Sequence, residues 1–169
     1  MKKNIFGLVL LLFLFKPAQA QLKIGYVDSA TILDSLTESQ DAQARLDAMI
    51  QEWQEELTKL ENEWKDSYDD YDRRKLVLSD KRRAEIEKSL VDMENNISNY
   101  RQQKFGVGGE LFQKQDELMK PIQNKVFNAI KSVSEDEDLD FVFDRSGDLT
   151  FLYAKDKYDI TKLVLEKLR

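Results

Sequence analysis

QEWQEELTKLENEWKD, residues 51–66, is dense in charge, yet an apolar side chain recurs every third or fourth position. Extended outward, the apolar series is Leu46, Ile50, Trp53, Leu57, Leu60, Trp64, Tyr68 and Tyr71. These spacings keep one stripe along a helix, with a slip where the stripe turns aromatic, which is coiled-coil patterning. A second series runs through Ile86, Leu90, Met93, Ile97, Tyr100, Lys104, Val107 and Leu111 in alternating steps of four and three. It continues less regularly through Leu118, Ile122, Val126, Ile130 and Val133.

Between the two series lies LVLSDKRRAEIE, where Ser79 or Asp80 can cap the second helix and Glu85 and Glu87 favour its first turns. Two long helices with one short break predict an antiparallel hairpin, each arm roughly 55 Å long at the standard rise. A single continuous rod is the competing reading. The hairpin is preferred because both ends of the helical region abut strand-like segments, which a hairpin brings together and a rod separates. Such an arm is thin: each residue reaches one neighbouring helix, while ordering costs roughly 1.5 kcal/mol per residue. Trp53, Trp64, Tyr68, Tyr71 and Tyr100 are therefore either seam residues or exposed surface for apolar partners.

The flanking strands are LKIGYVD near the start and DLDFVFDRSGDLTFLY, residues 138–153. In the latter, Phe141 and Phe143 alternate with Val142, RSGD supplies a turn around Gly147, and Leu149 and Phe151 resume the alternation. A two-strand hairpin alone is marginal in water, so it needs the opening strand, the ITKLVLEKL helix and further subunits. Phenylalanines on both sides of Val142 predict a sheet covered on both faces, as at an assembly centre.

The first residues set the compartment. Lys2 and Lys3 precede the apolar run IFGLVLLLFLF, and KPAQA then offers Ala18 and Ala20 in the small-residue pattern of a signal-peptidase site. The run is short for a membrane span, so cleavage before Gln21 is expected over retention as an anchor. Loss of Lys2, Lys3 and Lys16 leaves 23 basic against 32 acidic residues, a net charge of about −9. That balance argues against general binding to nucleic-acid phosphates. With no cysteine, disulfides, thiolate metal sites and cysteine lipidation are closed; with no histidine, so are common zinc sites and histidine acid–base chemistry.

Two stretches imitate chemical sites. FGVGGELF, residues 105–112, lacks the strand, ending and spacing of a phosphate loop. Gly106, Gly108 and Gly109 instead mark either a weak or bent place in the descending helix or a close helix contact. Pro121 fits a kink or the first turn of a new segment, and the four residues together form a candidate hinge. In EDEDLD, residues 135–140, Phe141 stands where a calcium loop needs glycine, so a solvated acidic connection is expected. No catalytic pair emerges among the carboxylates, and the chain does not read as an enzyme. One charge pattern rises above background: Arg73, Arg74, Lys75, Lys81, Arg82 and Arg83 gather at the hairpin tip. They either meet anionic lipid headgroups or acidic polypeptide, or simply solubilise the tip.

With this layout the sequence resembles the Skp/OmpH family of periplasmic chaperones. LKIGYVDSATIL (22–33) is similar to the family's opening strand and helical turn, and ELFQKQDELMKPIQNKVFNAIKSV (110–133) to its descending helix. DLDFVFDRSGDLTFLYAKDKYDITKLVLEKL (138–168) is similar to its closing strands and C-terminal helix, whose start matches Asp159, Ile160 and Thr161. The resemblance implies an α+β fold: a small β-rich trimerisation body with long antiparallel coiled-coil hairpins, assembled as a jellyfish-like homotrimer. It implies an ATP-independent holdase that shelters unfolded outer-membrane β-barrel proteins in the cavity between its arms, is soluble in the periplasm after signal cleavage, and has neither cofactor nor catalytic residues. On this layout residues 1–20 are the signal peptide, 21–38 the opening part of the body, 39–120 the arm with its tip near 76–82, and 121–169 the remainder of the body. Ile24, Tyr26, Phe141, Phe143, Phe151 and Tyr153 fall at the implied body and subunit contacts. The best-known members are strongly basic, whereas this mature chain is acidic, so apolar contacts along the arm must supply most of the capture. A coiled-coil spacer or envelope adaptor that holds no client is the alternative function.

Overall fold

The computed structural model describes residues 22–147 and 152–169. The chain enters through strand β1 (Ile24–Val27) and the short helix α1 (Ser29–Ser35). It leaves along α2 (Thr37–Arg74), turns, and returns through α3 (Asp80–Phe105) and α4 (Glu110–Asp136). Strand β2 (Phe141–Asp144), a 3₁₀ turn (Asp156–Tyr158) and α5 (Thr161–Leu168) complete it.

The helical hairpin is antiparallel, and its cross-links run in opposite order along the two sides. The Tyr71 hydroxyl donates to Glu87 near the tip, Arg101 pairs with Glu61 at 2.6 Å, and Lys125 pairs with Glu38 at 2.7 Å near the base. The thirty-eight residues of α2 span about 57 Å at 1.5 Å per residue. At the tip, Ser79 caps α3 by accepting from the Arg82 amide at 3.3 Å, which satisfies one of the donors a helix start leaves open.

Among the described residues the sheet of the body has two four-residue strands, and helices supply most of the core. Val27, Ile32, Val126, Ala129, Val133, Ile160 and Val164 form one buried cluster, joined by Val142, Leu139 and Leu165 at its margin. Ile32 and Val164 are fully enclosed. The periodicity explains this: Ile122, Val126, Ala129 and Val133 fall on one face of α4, the amphipathic spacing that a helix buries against a core. Leu149 and Phe151, expected in a second closing strand, lie outside the described residues.

The strands pair in parallel, Ile24 with Phe141, Gly25 with Val142, Tyr26 with Phe143 and Val27 with Asp144. Parallel neighbours need a long crossover, and here the whole arm serves as that crossover. Register partners point to the same side, so Val27 and Val142 face the core cluster while Ile24, Tyr26, Phe141 and Phe143 face the opposite way. Gly25 sits where a Cβ would come within 2.8 Å of the Leu139 side chain.

One carboxylate fastens the strand end to the start of α1. Asp144 accepts from the Ser29 amide at 3.2 Å and the Ser146 amide at 3.0 Å, and from both serine hydroxyls. Partial burial pushes its pKa up, but the hydrogen bonds from Ser29 and Ser146 outweigh this and hold it below the usual value of 3.8. A carboxyl lowered in the folded state adds stability above its unfolded pKa and loses it as pH falls through the folded value. Asp144→Ala is accordingly expected to destabilise the body by roughly 1.5–3 kcal/mol at pH 7, nearer the lower figure because Ser146 is exposed. Urea unfolding of variant and parent at pH 7 and below pH 3 checks this: the difference should shrink in acid.

Candidate functional site

Two surfaces stand out, one on the body and one along the arm. On the body, the sheet face opposite the core is left apolar: Phe141 is 55% exposed and Ile24 41%, while Tyr26 is buried and Phe143 half-buried. Beside it opens a groove of about 700 Å³ lined by Leu22, Ile24, Tyr26, Leu139, Tyr153 and Tyr158. Tyr153 is exposed, and Lys157 lies over the Tyr158 ring at 4.6 Å. Burial raises the pKa of Tyr26, helped by Asp159 and Asp156 and opposed by Arg145. Of the body residues singled out from sequence, the structure thus brings Ile24, Tyr26, Phe141 and Phe143 onto one face, with Tyr153 at its rim; Phe151 lies outside the described residues.

Along the arm, Trp53, Trp64, Tyr71 and Tyr100 are half-buried in the seam and Tyr68 is exposed. Trp53 meets Phe105 edge-on at 6.1 Å, and Trp64 stacks on Tyr68 at 5.4 Å. The Trp64 Nε1–H is buried without a hydrogen-bond partner. The bond to Glu87 raises the Tyr71 pKa, with burial adding to the rise and Arg83 and Lys75 opposing it. Leu90 is the one buried side chain of α3, which shows how little core the arm has.

Sequence reasoning missed several exposed apolar residues: Leu76 and Val77 at the tip, Val91 on the return limb, and Phe112 and Phe127 on α4; Val107, placed on the apolar stripe by its spacing, is fully exposed because it lies in the glycine break between α3 and α4. Leu76 and Val77 carried a signal, being aliphatic residues between charged stretches in the turn itself. Phe112 and Phe127 fall off the apolar stripe, a mismatch that was equally legible.

The basic tip is less positive than its six cations imply. Arg74 pairs with Asp70, Lys75 with Asp72 at 2.7 Å, Arg82 with Glu85 at 2.9 Å, and Arg83 with Asp80. Arg73 and Lys81 make no ion pair among the described residues. The acids that neutralise the cations come from the helix turns flanking the break, not from the break itself.

The glycines interrupt the return limb between α3 and α4 outright. Gly106 receives a Cβ-sized clash from the Gln102 carbonyl if substituted, Gly109 would meet the Gln103 carbonyl at 2.7 Å, and Gly108 adopts φ +74°. Gly108 alone needs the left-handed conformation. The Gly109 amide donates to Gly106 at 2.8 Å, and the Gln113 side chain donates to Gly108 at 3.0 Å, so the break is a built turn. Pro121 falls inside the continuous helix α4, whose start is Glu110; it withholds a backbone donor there but begins no new segment.

Among the described residues no group of three or more metal-ligating side chains converges, and no helix is long and apolar enough to cross a membrane. The described residues form a thin hairpin on a small body, with apolar surface exposed on both. The family profile described as "Outer membrane protein (OmpH-like)" matches residues 23–168, so the chain belongs to the OmpH/Skp-like family of periplasmic chaperones. That family is non-enzymatic and has a general holdase-type role. No curated protein matches the sequence. The fold is similar to the crystal structure of a candidate outer membrane chaperone (OmpH-like) from Caulobacter crescentus CB15, with TM-score 0.71 and 18% identity over 88% of this chain and 85% of that one.

The geometry of the glycine break sets an expectation. Gly108→Ala should cost about 1–2 kcal/mol, the penalty of a left-handed conformation for a residue with Cβ, although the space around it is open. Gly108→Asn should cost less. Chemical denaturation of the three proteins, followed by far-ultraviolet circular dichroism, measures the order.

Proposed function

We propose that the protein is an ATP-independent periplasmic holdase that works as a homotrimer and shelters unfolded outer-membrane β-barrel proteins between its arms. The observation that carries this reading is the division of apolar surface between the two parts of the molecule. The body leaves the Ile24–Phe141 end of one apolar sheet face exposed, and this suits contact with further copies. The arm leaves scattered aromatic and aliphatic groups instead, such as Tyr68, Val91 and Phe112, which suits many weak contacts with a chain of no fixed shape.

The Gly106–Gly109 break divides the return limb and serves as the joint at which the arm adapts to clients of different size. Leu76 and Val77, flanked by Arg73 and Lys81, give the tip an apolar point with two unpaired cations, a surface that fits the anionic face of a membrane. Neither nucleic acid nor ATP enters this mechanism: the charge balance disfavours the first, and the glycine segment lacks the strand that a phosphate loop follows.

Two outcomes test the reading. The purified mature chain, added at equimolar trimer to an outer-membrane barrel protein diluted from denaturant, is expected to suppress the rise in light scattering; scattering unchanged from the barrel alone sinks the holdase reading and leaves the spacer. Phe141→Asp, at an exposed position, is expected to keep the circular dichroism of the parent while sedimenting as a monomer. An intact trimer would refute the role given to the sheet face.

A further inference from the structure

The negative charge of the chain is concentrated on one helix. Helix α2 carries twelve acidic and five basic residues, whereas α3 carries five and six. By the 3.6-residue repeat, Glu52, Glu55, Glu56, Glu63 and Asp66 share one flank of α2, next to the seam position of Trp53. At the body-side end of this flank, Glu52, Glu55 and Glu56 wall a groove of about 560 Å³ completed by Trp53, Tyr100 and the two cations Lys59 and Lys104.

A cation already occupies that groove. Lys104 Nζ stands 4.8 Å from the centroid of the Trp53 ring and 5.9 Å from that of Tyr100, within the range of cation–π attraction. Its side chain is only 19% exposed, so the rings hold an ammonium that is largely out of water. Lys104 spends its ion pair on Glu110, across the glycine break, and not on the acidic wall. Glu52 and Glu55 make no ion pair among the described residues, and Glu56 has only a 3.6 Å contact with Lys59. The pKa of Tyr100 is raised by burial; Lys104 opposes the rise, and Glu56, Glu52 and Glu110 add to it.

We propose that this groove binds the lysine and arginine side chains of partner polypeptides, with Lys104 as its built-in occupant, and that Glu63 and Asp66 continue the track toward the tip. The aromatic faces accept the cation and the carboxylates neutralise it. Glu52 to Glu63 spans about 16 Å along the helix, a length that about five residues of extended chain cover. Phosphate-bearing partners, nucleic acids and anionic lipids alike, are repelled by the same wall. The proposal concerns the charge of the segment held and stands independently of which proteins the arms shelter, so no barrel protein enters its test.

The test uses the full mature chain carrying Trp64→Phe, which leaves Trp53 as the only indole, titrated with an octalysine peptide at low salt. Saturable change in Trp53 emission is expected. The triple variant Glu52→Gln, Glu55→Gln, Glu56→Gln should bind about tenfold more weakly or worse, at a few tenths of a kcal/mol or more per charge. Lys104→Gln, which removes the competitor, should bind several-fold more tightly. An equal change of charge elsewhere on the helix, Asp47→Asn, Asp69→Asn, Asp72→Asn, should cost at most about twofold to threefold. Absence of saturable binding overturns the proposal. So does a loss in the second triple variant as large as in the first, or weaker binding by Lys104→Gln. If Trp64→Phe fails to fold, calorimetry with the unaltered tryptophans reads the same comparisons.

Discussion

Four backbone positions in register, from Ile24 opposite Phe141 to Val27 opposite Asp144, hold together two parts of the chain separated by more than a hundred residues. Because the pairing is parallel, the intervening chain must leave one end of β1 and come back to the other end of the sheet. A long antiparallel hairpin satisfies that demand by returning close to where it began. The core then closes beneath the strands, with α4 and α5 covering the side of Val27 and Val142. Asp144 ties the end of β2 to the first turn of α1 through Ser29, so the sheet and the root of the arm are one mechanical unit.

Beyond that root the physics changes. The body can bury Ile32 and Val164 completely, whereas the arm, one helix against another, buries Leu46 and Leu90 but leaves most of its seam residues half in water. Hydrophobic stabilisation scales with area removed from water, so the arm gains little per residue ordered. Ion pairs such as Arg101–Glu61 and hydrogen bonds such as Tyr71–Glu87 fix register more than they add stability, since exposed pairs contribute at most about 1 kcal/mol each. A marginal, half-wetted surface interrupted by a glycine turn is what a protein needs in order to hold partners without a fixed shape. A well-packed arm would have no apolar area to offer.

The electrostatics divide along similar lines. At the tip the cations are mostly matched by acids one helical turn away, which cancels most of the field that the composition of the turn suggests. Along α2 the acids outnumber their partners, and the groove at Trp53 and Tyr100 joins that excess to two aromatic faces. Charge counts over short windows were therefore misleading at the tip and informative on the helix, because pairing depends on i,i+3 and i,i+4 neighbours that a window treats as one pool.

Periodicity by itself determined the two long helices, and the strand-like segments at both ends favoured folding them into a hairpin over a rod. The apolar series from Leu46 to Tyr71 and from Ile86 to Leu111 encodes two amphipathic helices, and Ser79 marks where the second begins, because helix geometry and capping are local. The family likeness was legible in the order of strand, arm and terminal helix. The parallel register of the strands, the helical make-up of the body core, the outright break at Gly106–Gly109 and the position of Pro121 inside α4 were decided only by the tertiary structure. Each depends on which segments meet across long separations, and alternation along a strand states which side chains share a face but not which neighbour they face. The same holds for the groove: Trp53, Tyr100 and Lys104 are ordinary stripe positions in sequence, and folding the two limbs together is what places an ammonium between two rings and beside an acidic wall.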